Sequence, residues 1–263
     1  MTKIKLKNIT KTERITALFM AAYQGHVEVY KLIMGKLANK NPGETSQLNK
    51  IGRRTPLHYA AQNGHYDVCQ LIIENTSDKN PVTTKELRSE SGATPLHLAA
   101  SFGHLEICKL IMEKLTDKNP AATAFQRTPF HWAAENGQLA VCKHMIENFS
   151  DKNPATETSG WTPLHSAARS GHLDVCKLIM DYLVDKNPKN NVGTTPLHFA
   201  AQENHLEVCQ LFLDNIKNTN LHVIPRIGFR DDTPYGWAKR YGNQAVCSLF
   251  ESYINAGKET ISP

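Results

Sequence analysis

Histidine and cysteine are the side chains here with the chemistry to hold a metal or attack a carbonyl, and the chain has twelve of one and six of the other. A structural zinc site needs four such ligands converging on one ion. A nucleophilic site needs one special constellation of nucleophile, base and orienting group. The spacing offers neither. Five histidines stand in Thr-Pro-Leu-His or Thr-Pro-Phe-His motifs: His58, His97, His131, His165 and His198. Five more follow a glycine or a residue in its place: His26, His65, His104, His172 and His205. Only His144 and His222 fall outside the two series. The cysteines Cys69, Cys108, Cys142, Cys176, Cys209 and Cys247 each follow a Val or Ile at one recurring position. Ligand types dealt out one set at a time, at regular intervals, point to structural duty. No GxxxxGK[ST], GxSxG or HExxH stretch is present. The chain is therefore expected to carry no catalytic residue, no metal and no cofactor.

The elements that carry these residues recur with them. Gly92–Pro120 reads GATPLHLAASFGHLEICKLIMEKLTDKNP, and versions of it restart at Thr16, Thr55, Thr94, Thr128, Thr162, Thr195 and Thr233. A self-similar unit of this length signals a stacked repeat array. In the unit at Thr94, threonine before proline marks a helix start, since proline at the first helical position gives up an N–H that would be orphaned anyway. Gly103 ends that helix after about two turns. Leu105, Cys108, Ile111, Met112 and Leu115 then fall at three- and four-residue steps, the stripe of a second helix. Asn119-Pro120 stops it. A single hairpin of this kind cannot bury its stripe, but stacked neighbours can.

TPLHLAA, then Gly-His, then an apolar second helix resembles the ankyrin repeat. The motif stands at Thr55, Thr94, Thr162 and Thr195, with TPFH at Thr128, and an alanine pair follows each. The resemblance implies an all-α solenoid of stacked helix-turn-helix units with projecting loops or β-hairpin fingers. It divides the chain into a basic lead-in (1–11), repeats near 12–50, 51–89, 90–123, 124–157, 158–190, 191–228 and 229–256, and a tail (257–263). The first and last repeats depart from the pattern and read as caps; the tail from Asn255 reads as disordered. The family's usual glycine at the end of the second helix is replaced by Thr76, Leu115, Phe149 and Leu183, which predicts longer second helices. The glycine two residues before the Thr-Pro threonine is lost at Arg53 and Gln126. DKNP tetrapeptides follow the second helices and read as helix stops.

Composition bounds the rest. A formal net charge of +5 over 263 residues is mild. It favours a neutral or acidic partner and does not indicate nucleic acid. No apolar run approaches the ~20 residues that span a bilayer. Met1–Thr16 is basic and does not read as a secretory signal. Equivalent cysteines in stacked repeats would lie about 8–10 Å apart, too far for a disulfide. They read as buried thiols, which suits an intracellular, cytoplasmic protein. Capped ends favour a monomer.

The resemblance implies protein binding on the face lined by the first helices and finger tips. Two classes of position vary there. One precedes Thr-Pro: Arg54, Ala93, Arg127, Trp161 and Thr194. The other follows the alanine pair and includes Phe102, Glu135 and Arg169. Aromatic and arginine side chains carry much of the energy at interfaces. Arg54, Phe102, Arg127, Trp161 and Arg169 are therefore the expected contacts, suited to a protein partner with an apolar anchor and an acidic side. The resulting reading is a non-enzymatic scaffold or adaptor. Its rivals are the recognition or targeting domain of a larger enzyme, channel or effector, and a metal-binding protein or enzyme.

Overall fold

The computed structural model describes residues 10–40, 42, 54–83, 92–121, 126–216 and 233–259. They form fourteen α-helices and, among the described residues, no strand. Two compact units result. Met1–Ala124 carries α1 (Lys11–Gln24), α2 (Val27–Met34), α3 (Pro56–Gln62), α4 (Tyr66–Asn75), α5 (Pro95–Ser101) and α6 (Leu105–Met112). Phe125–Pro263 carries α7 (Pro129–Glu135), α8 (Leu139–Asn148), α9 (Pro163–Arg169), α10 (Leu173–Asp181), α11 (Pro196–Gln202), α12 (Leu206–Asn215), α13 (Pro234–Arg240) and α14 (Gln244–Glu259). Consecutive helices pair as hairpins. Within each unit first helices stack on first helices and second on second, as in α3 on α5, α4 on α6, α9 on α11 and α10 on α12.

The Thr-Pro-x-His start works as a capping box in which histidine replaces the usual acid. At Thr55 the backbone N–H donates to His58 Nδ1 at 2.9 Å, and the same bond forms at Thr94, Thr128, Thr162 and Thr195. At Gly25, Gly64, Gly137 and Gly171 the glycine that ends the first helix is required twice over. Gly171 has φ +77°, and a Cβ there would lie 2.5 Å from the ring of His205 in the next repeat. Asn204, which stands where other repeats have this glycine, takes the same left-handed conformation at φ +63°.

The DKNP tetrapeptide does more than stop a helix. Its lysine reaches back to the last carbonyls of the second helix: Lys152 Nζ donates to Ile146 and Phe149, at 2.7 and 2.6 Å. Its aspartate accepts the asparagine's N–H, as in Asp151–Asn153 at 3.0 Å, closing an Asx turn. Its asparagine then accepts the N–H of the next first helix: Asn153 from Leu164, Asn80 from Leu96 and Asn187 from Leu197, at 3.0–3.1 Å. One tetrapeptide thus caps the helix before it and the helix after it.

Several boundaries differ from those expected. The first helix begins at Lys11, not near Thr16. Thr10 and Glu13 form its capping box, and Ala17 in place of proline lets the helix run through. The second helices α4 and α8 end one residue before Thr76 and Phe149, where Lys79 and Lys152 cap them in place of further turns, and α6 ends three before Leu115. Residues 255–259, expected to be disordered, continue α14, which no Asn-Pro stop follows. Thr83 with Ala93, Thr156 with Trp161 and Asn190 with Thr194 close the fingers by backbone bonds of 2.8–2.9 Å, and Thr83, Thr156 and Asn190 also accept from Gly92, Gly160 and Gly193. Arg53, His222 and most of the lead-in lie outside the described residues.

Candidate functional site

The residues with the chemistry to react are committed to the frame. In the Thr-Pro-x-His series Nδ1 faces the threonine N–H, so the proton sits on Nε2. That Nε2–H donates to the carbonyl just before the next Thr-Pro: His58 to Ala93 at 3.3 Å, His131 to Trp161 at 3.0 Å and His165 to Thr194 at 3.2 Å. Burial holds His58 and His165 neutral. The imidazole of His58 is pushed down to about 3, first by desolvation and then by the nearby Arg54 charge, and that of His165 to about 4, first by desolvation. The Gly-His series points the other way along the stack. His65, His104, His172 and His205 bond the carbonyls of Tyr23, Gln62, Glu135 and Arg169 in the preceding repeat, each at 2.9 Å. Asn243 makes the equivalent bonds in the last repeat, to Ala201 and Gln202. All six cysteines are buried thiols, and burial pushes Cys108 and Cys209 up to about 12. Among the described residues no three potential ligands gather where an ion could be held.

The expected contact residues divide between the two units. Arg127, Trp161 and Arg169 come together in the second unit, where with Glu135, Thr158 and Ser159 they line an open pocket of about 320 Å³. Arg127 leads into α7 and Trp161 into α9; Glu135 and Arg169 end those helices. Arg127 donates to Glu135 at 2.6 Å and to Ser166 Oγ at 3.3 Å. Trp161, expected on the surface, is half buried. Its indole N–H donates to Ser166 Oγ at 2.8 Å, and its ring meets Phe199 edge-on with centroids 4.6 Å apart. The Arg169 side chain is 55 % exposed, and its ion pair with Glu203 is long, at 3.9 Å.

Arg54 and Phe102 belong to the first unit. Arg54 donates to Gln62 at 2.7 Å and lies over the Tyr59 ring. Phe102 is 52 % exposed and stacks on His104. Ala93 and Thr194, grouped with the surface positions, are buried because their carbonyls receive the histidine rings.

Two residues outside the pocket's lining shape it. Ser166 holds the position after Thr-Pro-Leu-His, where the other repeats place Tyr59, Leu98, Trp132 and Phe199. That size difference was visible. A buried serine there leaves room and supplies the hydroxyl that both Arg127 and Trp161 use. Gln126 stands where other repeats have glycine, and its spacing gives no sign of its reach. It sits at φ +53°, and its side chain crosses to the neighbouring finger, donating to Glu157 at 3.1 Å and accepting the Thr158 N–H at 3.0 Å.

Stacked hairpins with a buried imidazole lattice and variable side chains along the first helices define a repeat-array class of protein. A family model described as ankyrin repeats (3 copies) matches residues 3–83, 52–123, 83–156, 130–223 and 179–260. The chain belongs to the ankyrin-repeat family, whose members generally act as protein–protein interaction modules. No curated protein matches it. Among the described residues no helix is long and apolar enough to cross a membrane.

Proposed function

We propose that this chain is a non-enzymatic scaffold or adaptor that binds a protein partner on the side formed by its first helices and fingers. It acts as a monomer in the cytoplasm. The observation that carries the reading is the pocket of the second unit. There the residues that vary from repeat to repeat, Arg127, Trp161 and Arg169, line one opening, while the invariant ones hold the frame. Exposed Phe102 and half-buried Arg54 offer further contacts on the first unit.

The test is affinity purification from the native cell with the wild-type chain and with Arg169→Glu as baits. Arg169 is exposed and its one long ion pair contributes little, so the variant is expected to keep the wild-type melting temperature and lose the partner. A partner recovered equally by both baits places the contact elsewhere. Changing Trp161 and Arg127 to alanine is a harsher probe, because both also bond Ser166; its result counts only with the melting temperature beside it.

A further inference from the structure

We infer that the pocket between α7 and α9 recognises a carboxylate on a peptide, with an apolar side chain beside it lying against Trp161. The inference rests on the partner-binding reading above and deepens it.

Charge decides the ligand's sign. Two guanidinium groups and one carboxylate line the opening. Glu135 answers Arg127 at 2.6 Å, whereas Arg169 is 55 % exposed and its ion pair with Glu203 stretches to 3.9 Å, which makes it the guanidinium more open to a ligand. A guanidinium offers paired donors that match a carboxylate in two-point geometry.

Shape decides the rest. Ser166 and Phe199 fix the Trp161 ring, so a ligand meets a flat apolar wall that needs no ordering on binding. A space of about 320 Å³ takes one or two side chains, not a folded surface. The far rim is also held in place. Gln126 keeps a left-handed backbone that glycine takes at Gly92, Gly160 and Gly193, and its side chain bonds the Thr158 N–H and Glu157. A residue in that conformation persists where its surroundings over-determine it, often at a site that uses the geometry. Here it fixes the finger that brings Thr158 and Ser159 to the pocket.

The probe is a phage-displayed random heptapeptide library panned on the full chain, followed by synthetic copies of the enriched peptides. Enriched peptides are expected to pair Asp or Glu with Leu, Ile, Phe or Pro. Replacing the acid by its amide, or Arg169 by alanine in the protein, is expected to weaken binding about tenfold or more. Capping the peptide's C-terminal carboxylate as an amide separates a terminal from a side-chain source, and a phosphoserine copy tests whether the site prefers a doubly charged anion. Trp161→Phe keeps an aromatic wall but gives up the bond to Ser166, so it is expected to lower affinity several-fold while leaving the dependence on the peptide's acid unchanged, and it is read beside the melting temperature. Enrichment without an acid, binding indifferent to Arg169→Ala, or no enrichment at all overturns the inference. If the peptides fail while Arg169→Glu still loses the cellular partner, the carboxylate chemistry falls and the docking face stands.

Discussion

His58 and His165 each span two repeats, accepting from a threonine N–H at Nδ1 and donating to a carbonyl at Nε2. A proton added at Nδ1 would turn an acceptor into a donor facing another donor. Burial adds the cost of an unsolvated charge, and together these hold the rings at about 3 and about 4, below the ordinary value near 6.5. The sign of the pH dependence follows. Above about pH 6.5 both folded and unfolded rings are neutral, and the stability is fully present. As the pH falls, the unfolded chain binds protons that the folded rings refuse, and stability declines by about 1.4 kcal/mol per pH unit for each ring. The loss ends near pH 4 for His165 and near pH 3 for His58. Urea unfolding is therefore expected to show a drop of about 4 kcal/mol between pH 7 and pH 5, and the double variant His58→Gln, His165→Gln is expected to flatten most of it. A wild-type stability unchanged over that range would mean that the rings accept charge in the folded state.

At the scale of elements, DKNP joins one hairpin to the next. Asn153 is the acceptor for the N–H of Leu164 in the first turn of α9, where no helical carbonyl can reach. Asn153→Ala is expected to cost about 1–2 kcal/mol in chemical denaturation. Asn153→Asp keeps an acceptor and is expected to recover most of that. Equal losses from the two would show that the acceptor for Leu164 is not what this side chain contributes. The hairpins themselves were legible in the sequence because Thr-Pro, Gly-His and the apolar stripe each encode a local event. The double use of Asn153 was not, because its partner lies eleven residues on and only folding brings the N–H within 3.0 Å. The pocket was half legible for the same reason. Arg127, Trp161 and Arg169 stood out by type, whereas their convergence on Ser166 and the crossing of Gln126 to the next finger depend on distances that spacing alone does not give. Phe102 stood out by type too, yet it lies in the other unit.

Across the whole array, burial at one position tells which neighbour each face needs. The Val or Ile before the cysteine is 0–2 % exposed at Val68, Ile107, Val175, Val208 and Val246, but its counterpart Val29 is 47 % exposed. Val246 belongs to the last repeat and is still buried; Val29 belongs to the first and is not. The position therefore packs on the preceding repeat, never on the following one. The last apolar residue of the second helix behaves in the opposite way: Met34 is buried in the first repeat, while the last repeat replaces this residue with exposed Glu251. Lys239 likewise replaces the second alanine of the pair, which is fully buried at Ala61, Ala168 and Ala201. The last repeat is thus a polar cap of the kind a repeat array needs for solubility, whereas the first keeps the apolar stacking face of an interior repeat. One substitution made at two equivalent sites tests this. Val175→Asp buries a charge with no partner and is expected to cost about 3 kcal/mol or more. Val29→Asp meets solvent and is expected to change stability by about 0.5 kcal/mol or less. Comparable losses at both sites, measured by urea unfolding, would show that Val29 is covered in solution and that the first repeat stacks on something after all.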